Sequence, residues 1–98
     1  MSNLDIELYL SQLMKFFEEN PTELKTLIGD CDKALFFEKI KEQCFFNLEK
    51  GDDVILTQTQ LINVVRDLVS IGHIKVKEPV EDIVGAFQDT NLGRIYLN

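Results

Sequence analysis

The sequence predicts a mainly α fold with a minor β part: about five helices and two or three very short strands. Three observations carry that reading. Apolar residues recur at helical spacing in successive segments. Gly, Pro and Ser, Thr, Asp or Asn residues stand where those segments begin and end. Short β-type runs at 54–56, 74–77 and 94–97 lie between or after the helices. The 98 residues are 45% hydrophobic and 28% charged, an ordinary globular balance. No linker, repeat or break in composition divides them, so 1–98 reads as a single globular domain. Folding at this size buries about two-thirds of the unfolded surface, enough for one modest core.

The elements follow in order. Residues 4–19 form an amphipathic helix with Ile6, Leu10, Leu13 and Phe17 on one face, widened by Tyr9 and Phe16. Ser2 and Asp5 are spaced to cap its start. Asn20-Pro21 stops it, and the same Asn20 can cap a second helix with Pro21 at its first position. Leu24, Leu27 and Ile28 are the inner face of that helix, and Gly29 ends it. Asp30 or Asp32 caps the third helix, and Gly51 closes it behind Lys50. Phe37, Ile40, Cys44 and Leu48 run down one side, joined by Ala34, Phe36 and Phe45. Four of the seven phenylalanines lie in this helix, which marks it as the spine of the core.

After Gly51, Asp52-Asp53 makes a turn and Val54-Ile55-Leu56 a short strand. Thr57 with Gln60 forms a capping box for a fourth helix that carries Leu61, Val64, Val65, Leu68 and Val69 and leaves at Gly72. His73 to Lys77 alternates as a strand does, with Ile74 and Val76 inward. Glu78-Pro79 opens a fifth helix with Val80, Ile83, Val84 and Phe87 apolar, and Gly85 inside it allows a close helix contact. A turn over 89–93 leads to a last strand, Arg94 to Leu97. Strands this short need one another as partners. The order of helix, short strand, helix, turn, helix and strand from residue 32 to 98 is winged-helix-like, although element order does not give function.

Charge and motifs narrow the function. The net charge is −7 and the pI near 4.5, which disfavours a surface that must neutralise phosphates. Six of the acids fall in residues 1–30 against Lys15 and Lys25. No apolar run approaches the ~20 residues of a membrane helix. The N-terminus lacks the basic n-region of a signal peptide. The expectation is therefore a cytoplasmic protein that makes no membrane contact. Cys31 and Cys44 make no disulfide framework and read as reduced, Cys44 buried and Cys31 semi-exposed.

Catalytic patterns are missing. His73 is the single histidine, so no histidine-based metal cluster or His-Glu-x-x-His site can form. There is no Gly-x-Ser-x-Gly elbow, phosphate loop or dinucleotide fingerprint. Asp30 and Asp32 flank Cys31 and oppose a thiolate there. An EF-hand loop starting at Asp30 would put Leu35 where glycine is required, so the aspartates read as caps and turns. The expectation is a protein that is not an enzyme and takes no cofactor and no metal.

Binding remains. The first helix has a broad apolar face, with Leu8 and Met14 outside its main stripe, and the chain's last strand offers an edge. Leu8, Tyr9, Met14, Phe16 and Tyr96 are the candidate interface residues, for a protein partner or for a second copy in a homodimer. The alternative is a winged-helix-type nucleic-acid-binding regulator contacting backbone through Lys75, Lys77 and Arg94. Its recognition helix would present Glu81, Asp82 and Gln88, acids where base-reading cations or amides are wanted.

Two segments carry a resemblance. Asn47-Leu48-Glu49-Lys50-Gly51-Asp52-Asp53-Val54-Ile55-Leu56-Thr57, with the Thr-led helix after it, resembles small uncharacterised proteins of marine T4-like phages. So does the closing Thr90-Asn91-Leu92-Gly93-Arg94-Ile95-Tyr96-Leu97-Asn98. The resemblance covers about a third of the chain and contains no functional motif. It implies an intracellular accessory protein and carries no activity with it.

Overall fold

The computed structural model describes residues 3–75, 79–88 and 97, with the backbone alone at residues 3 and 86–88. The described residues contain five helices: α1 (Asn3–Glu19), α2 (Pro21–Ile28), α3 (Lys33–Glu49), α4 (Gln58–Ser70) and α5 (Val80–Gln88). Their main contacts close a ring. α1 packs on α2 and α3, α3 on α4, α4 on α5, and α5 returns to α2. The ring encloses Ile6, Leu27, Ile28, Phe36, Ile40, Cys44, Leu56, Val65, Leu68 and Val84, each at most 1% exposed.

The helix limits follow from local chemistry. The Asp32 carboxylate accepts the Ala34 amide at 2.9 Å and starts α3. Thr57 and Gln60 form the full reciprocal capping box at the start of α4. At the end of α3 the Asp52 amide donates to the Asn47 carbonyl and the Gly51 amide to the Leu48 carbonyl, a Schellman closure with Gly51 at φ 78°. The same pair of bonds, from His73 to Leu68 and Gly72 to Val69, ends α4. Asn20 departs from expectation. Its side chain donates back to the Phe16 carbonyl at 2.9 Å, closing α1, and makes no cap on α2.

Three further readings are corrected. Among the described residues there is no strand. Val54 and Leu56 are buried, but the segment is an irregular loop. The Asp53 carboxylate accepts the Ile55 amide at 3.1 Å within it. Residues 73–75 are likewise irregular, with Ile74 buried. The winged-helix-like order from 32 to 98 thus loses its first strand and gains no support. Residues 76–78 and the 94–96 part of the last strand, like Ser2 and the Phe87 and Gln88 side chains, lie outside the described residues. The second correction is rotational. The buried line of α3 is Phe36, Ile40, Cys44 and Asn47, whereas Phe37, Phe45 and Leu48 are half-buried and Ala34 is exposed.

The third concerns Gly85. A methyl added there would meet only the Gln58 amide nitrogen, at 3.9 Å, an ordinary contact, so no close approach demands glycine. Gly85→Ala should therefore raise the urea midpoint, by up to about 1 kcal/mol of helix propensity. Gly51→Ala should lower it by about 1 kcal/mol, because a side chain resists that positive φ although space is open around it. Equal responses at the two positions would contradict both assignments.

Candidate functional site

The surface departs most from a solvated helical domain along α1. Its inward stripe of Ile6, Tyr9, Leu13, Phe16 and Phe17 is buried, each at most 4% exposed. Five large hydrophobics stay exposed among the described residues: Leu4 (75%), Leu8 (59%), Met14 (45%), Phe46 (54%) and Ile71 (56%). Three of the five belong to α1. Leu8 and Met14 lie on opposite flanks of the buried stripe, and each borders a depression.

The Leu8 depression, of about 260 Å³, is walled by Asp5, Gln12, Asp53 and Ile55 and is partly polar. The Met14 groove is larger, at about 350 Å³, and mostly apolar. Phe17 and Phe37 form its floor, with ring centroids 6.1 Å apart and planes tilted by 54°. Leu24 of α2 closes one side, and the first turn of α3, with Asp32, Lys33 and Ala34, closes the other. Ala34 is small and exposed, which keeps the groove open at that end.

The candidate residues fare differently. Leu8 and Met14 are surface residues as expected. Tyr9 and Phe16 are core residues, each 4% exposed, and cannot meet a partner from the folded state. Burial pushes the Tyr9 hydroxyl well above its ordinary pKa, against a hydrogen bond with the Leu56 backbone. Tyr96 lies outside the described residues. Leu4 was missed, although its i, i+4 spacing from Leu8, off the buried stripe, was the available signal. For the nucleic-acid alternative, Lys75 is exposed, and Lys77 and Arg94 lie outside the described residues. Glu81 of α5 pairs with Arg66 of α4, while Asp82 is exposed, so the first turn of α5 presents acids.

Neither thiol is poised for chemistry. Both cysteines are free and buried, which corrects the semi-exposed reading of Cys31. Burial first, and then the Asp32 carboxylate, raise the Cys31 pKa. Burial alone pushes Cys44 up to about 12. An ordinary thiol titrates near 9. Above that pH the unfolded chain has released a proton that the folded chain keeps. The contribution is thus complete below about pH 9 and lost as pH rises, at about 1.4 kcal/mol per unit for Cys44. Tyr9, also raised, adds to the loss above pH 10. The urea midpoint should fall between about pH 7 and about pH 10.5, and an unchanged midpoint would contradict this burial.

Among the described residues no three His, Cys, Asp or Glu side chains converge as metal ligands do. No helix among the described residues is long and apolar enough to cross a membrane. The chain matches no protein-family model, no curated protein and no solved structure.

Proposed function

We propose that this protein is a non-enzymatic interaction domain that works in the cytoplasm by contacting protein through the apolar flanks of α1. The observation that carries the reading is that three of the five exposed large hydrophobics among the described residues, Leu4, Leu8 and Met14, belong to α1, with Met14 beside an apolar groove. Exposed apolar side chains that border an apolar groove are a usual mark of a contact surface. Two free buried thiols fit a reducing compartment. An accessory role also fits the resemblance of residues 47–57 and 90–98 to small phage proteins. Self-association is the simplest form, because a two-fold dimer uses one patch twice. The acids opening α5 count against the winged-helix nucleic-acid alternative.

The test compares the wild type with a Leu8→Gln, Met14→Gln double variant, both immobilised and exposed to an extract of the source cells. Sedimentation over a range of concentrations runs in parallel. The reading expects at least one chain, the protein itself included, to associate with the wild type and be lost from the variant. No difference between the two proteins in either measurement overturns it. Labelled mixed-sequence duplex DNA at about 50 mM salt should stay unbound.

A further inference from the structure

The Met14 groove has a charge as well as a shape. Its walls are the end of α1, the face of α2 and the start of α3, all contributed by residues 14–37. Over that stretch the acids Glu18, Glu19, Glu23, Asp30 and Asp32 outnumber Lys15, Lys25 and Lys33. Glu18 and Asp32 line the groove itself, with Lys33 the one cation among its lining residues. An apolar floor under an acidic rim is complementary to a segment with apolar anchors and basic flanks.

We propose that this groove receives an amphipathic, basic helix of another protein. The claim rests on the interaction-domain reading and names the partner's chemistry. Helix-in-groove recognition uses anchors at i, i+3 or i+4 and i+7, and the groove measures about 350 Å³. Met14, flexible and polarisable, can shape itself around such an anchor. A second copy does not supply such a helix. α1 and α5 are net acidic and α2, α3 and α4 carry balanced charge, so no helix of this chain is net positive. A small-molecule ligand is disfavoured too, because the floor lacks the convergent polar groups that orient one.

The probe is a pair of designed peptides, one of leucine and lysine in amphipathic helical pattern, the other with every lysine replaced by glutamate. Each is titrated into the full chain by calorimetry, with amide chemical-shift mapping to locate contact. The Leu/Lys peptide should bind and perturb amides of residues 14–37. The Leu/Glu peptide should bind at least about tenfold more weakly. Ala34→Gln, which fills the open end of the groove, should weaken the Leu/Lys peptide about tenfold. Glu18→Lys should weaken it several-fold at low salt and less at high salt. Both positions are exposed, so the fold survives these changes. Equal binding of the two peptides, no binding of either, or indifference to Ala34→Gln overturns the groove assignment. The wider reading is judged separately, since it fails only when the Leu8→Gln, Met14→Gln comparison shows no difference.

Discussion

Replacing Phe36 by alanine is expected to cost about 3–5 kcal/mol, a large part of the roughly 5–15 kcal/mol that holds a domain of this kind. Phe36 is fully buried and sits where α1 and α3 meet. Its ring lies edge-on to Phe17, with centroids 6.3 Å apart, and 5.4 Å from Phe37. Phe17 in turn is 5.1 Å from Phe16. Removing the central ring opens a cavity that Phe17 and Phe37 cannot fill without leaving their own positions, and the cavity adds to the lost transfer energy. Phe46→Ala is the comparison. Phe46 lies in the same helix but is 54% exposed, with the Lys50 ammonium 5.3 Å from its ring centroid. Its loss should cost under about 1 kcal/mol. Urea denaturation separates the two, with the Phe36→Ala midpoint far lower at an unchanged slope. Similar midpoints for both variants would mean that α3 is turned the wrong way.

That rotation is also what the sequence could not settle. Leu35, Phe36, Phe37, Phe45, Phe46 and Leu48 put apolar residues on nearly every side of α3, so spacing alone does not choose a face. The choice depends on which side meets α1 and α4, a fact of tertiary packing. Where the chemistry is local, the sequence was legible. Thr57 with Gln60, Asp32, Gly51 and Gly72 mark their helix ends through bonds spanning at most five residues. The 54–56 segment shows the boundary between the two cases. The run of β-type residues was legible, and Val54 and Leu56 are buried. The run could not supply the partner strand that a ladder needs.

The candidate site divides in the same way. Met14 and Leu8 could be read as surface residues because they fall off the inward stripe of α1. Tyr9 and Phe16 belong to the inward stripe, and Tyr9 is held there by a hydrogen bond with the Leu56 backbone, a contact that no helical wheel contains. The groove was invisible to sequence, since three separate elements build it. Its acidic rim was visible as a charge bias over residues 1–30, without the apolar floor that gives the bias a use.

Asn47 is the least predictable feature of the core. It is 1% exposed and exchanges two hydrogen bonds with Gln60. Its amide donates to the Gln60 carbonyl oxygen at 3.0 Å, and its own oxygen accepts from the Gln60 amide at 2.9 Å. The Gln43 amide donates to that same Asn47 oxygen at 3.0 Å. The Gln60 oxygen also accepts the Thr57 backbone amide at 3.1 Å, so one side chain caps α4 and ties it to α3. Among the described residues no buried side-chain polar atom is left without a partner.

Such a network costs most when half of it is removed, because a buried donor or acceptor then faces an apolar wall. Asn47→Leu should therefore cost about 2–3 kcal/mol despite its added apolar surface, since the amides of Gln60 and Gln43 lose their partner. Gln60→Leu should cost about as much, by stranding Asn47 and dissolving half of the capping box. Thr57→Ala, which removes only the hydroxyl that accepts the Gln60 amide at 3.1 Å, should cost about 1 kcal/mol. The informative variant is the double replacement, Asn47→Leu with Gln60→Leu. Once one partner is gone the other amide is already unsatisfied, and removing it relieves that penalty. The double variant should fall short of the sum of the singles by about 1–2 kcal/mol in urea denaturation. Strict additivity would show that Asn47 and Gln60 act independently, and the join between α3 and α4 would then rest on apolar packing alone.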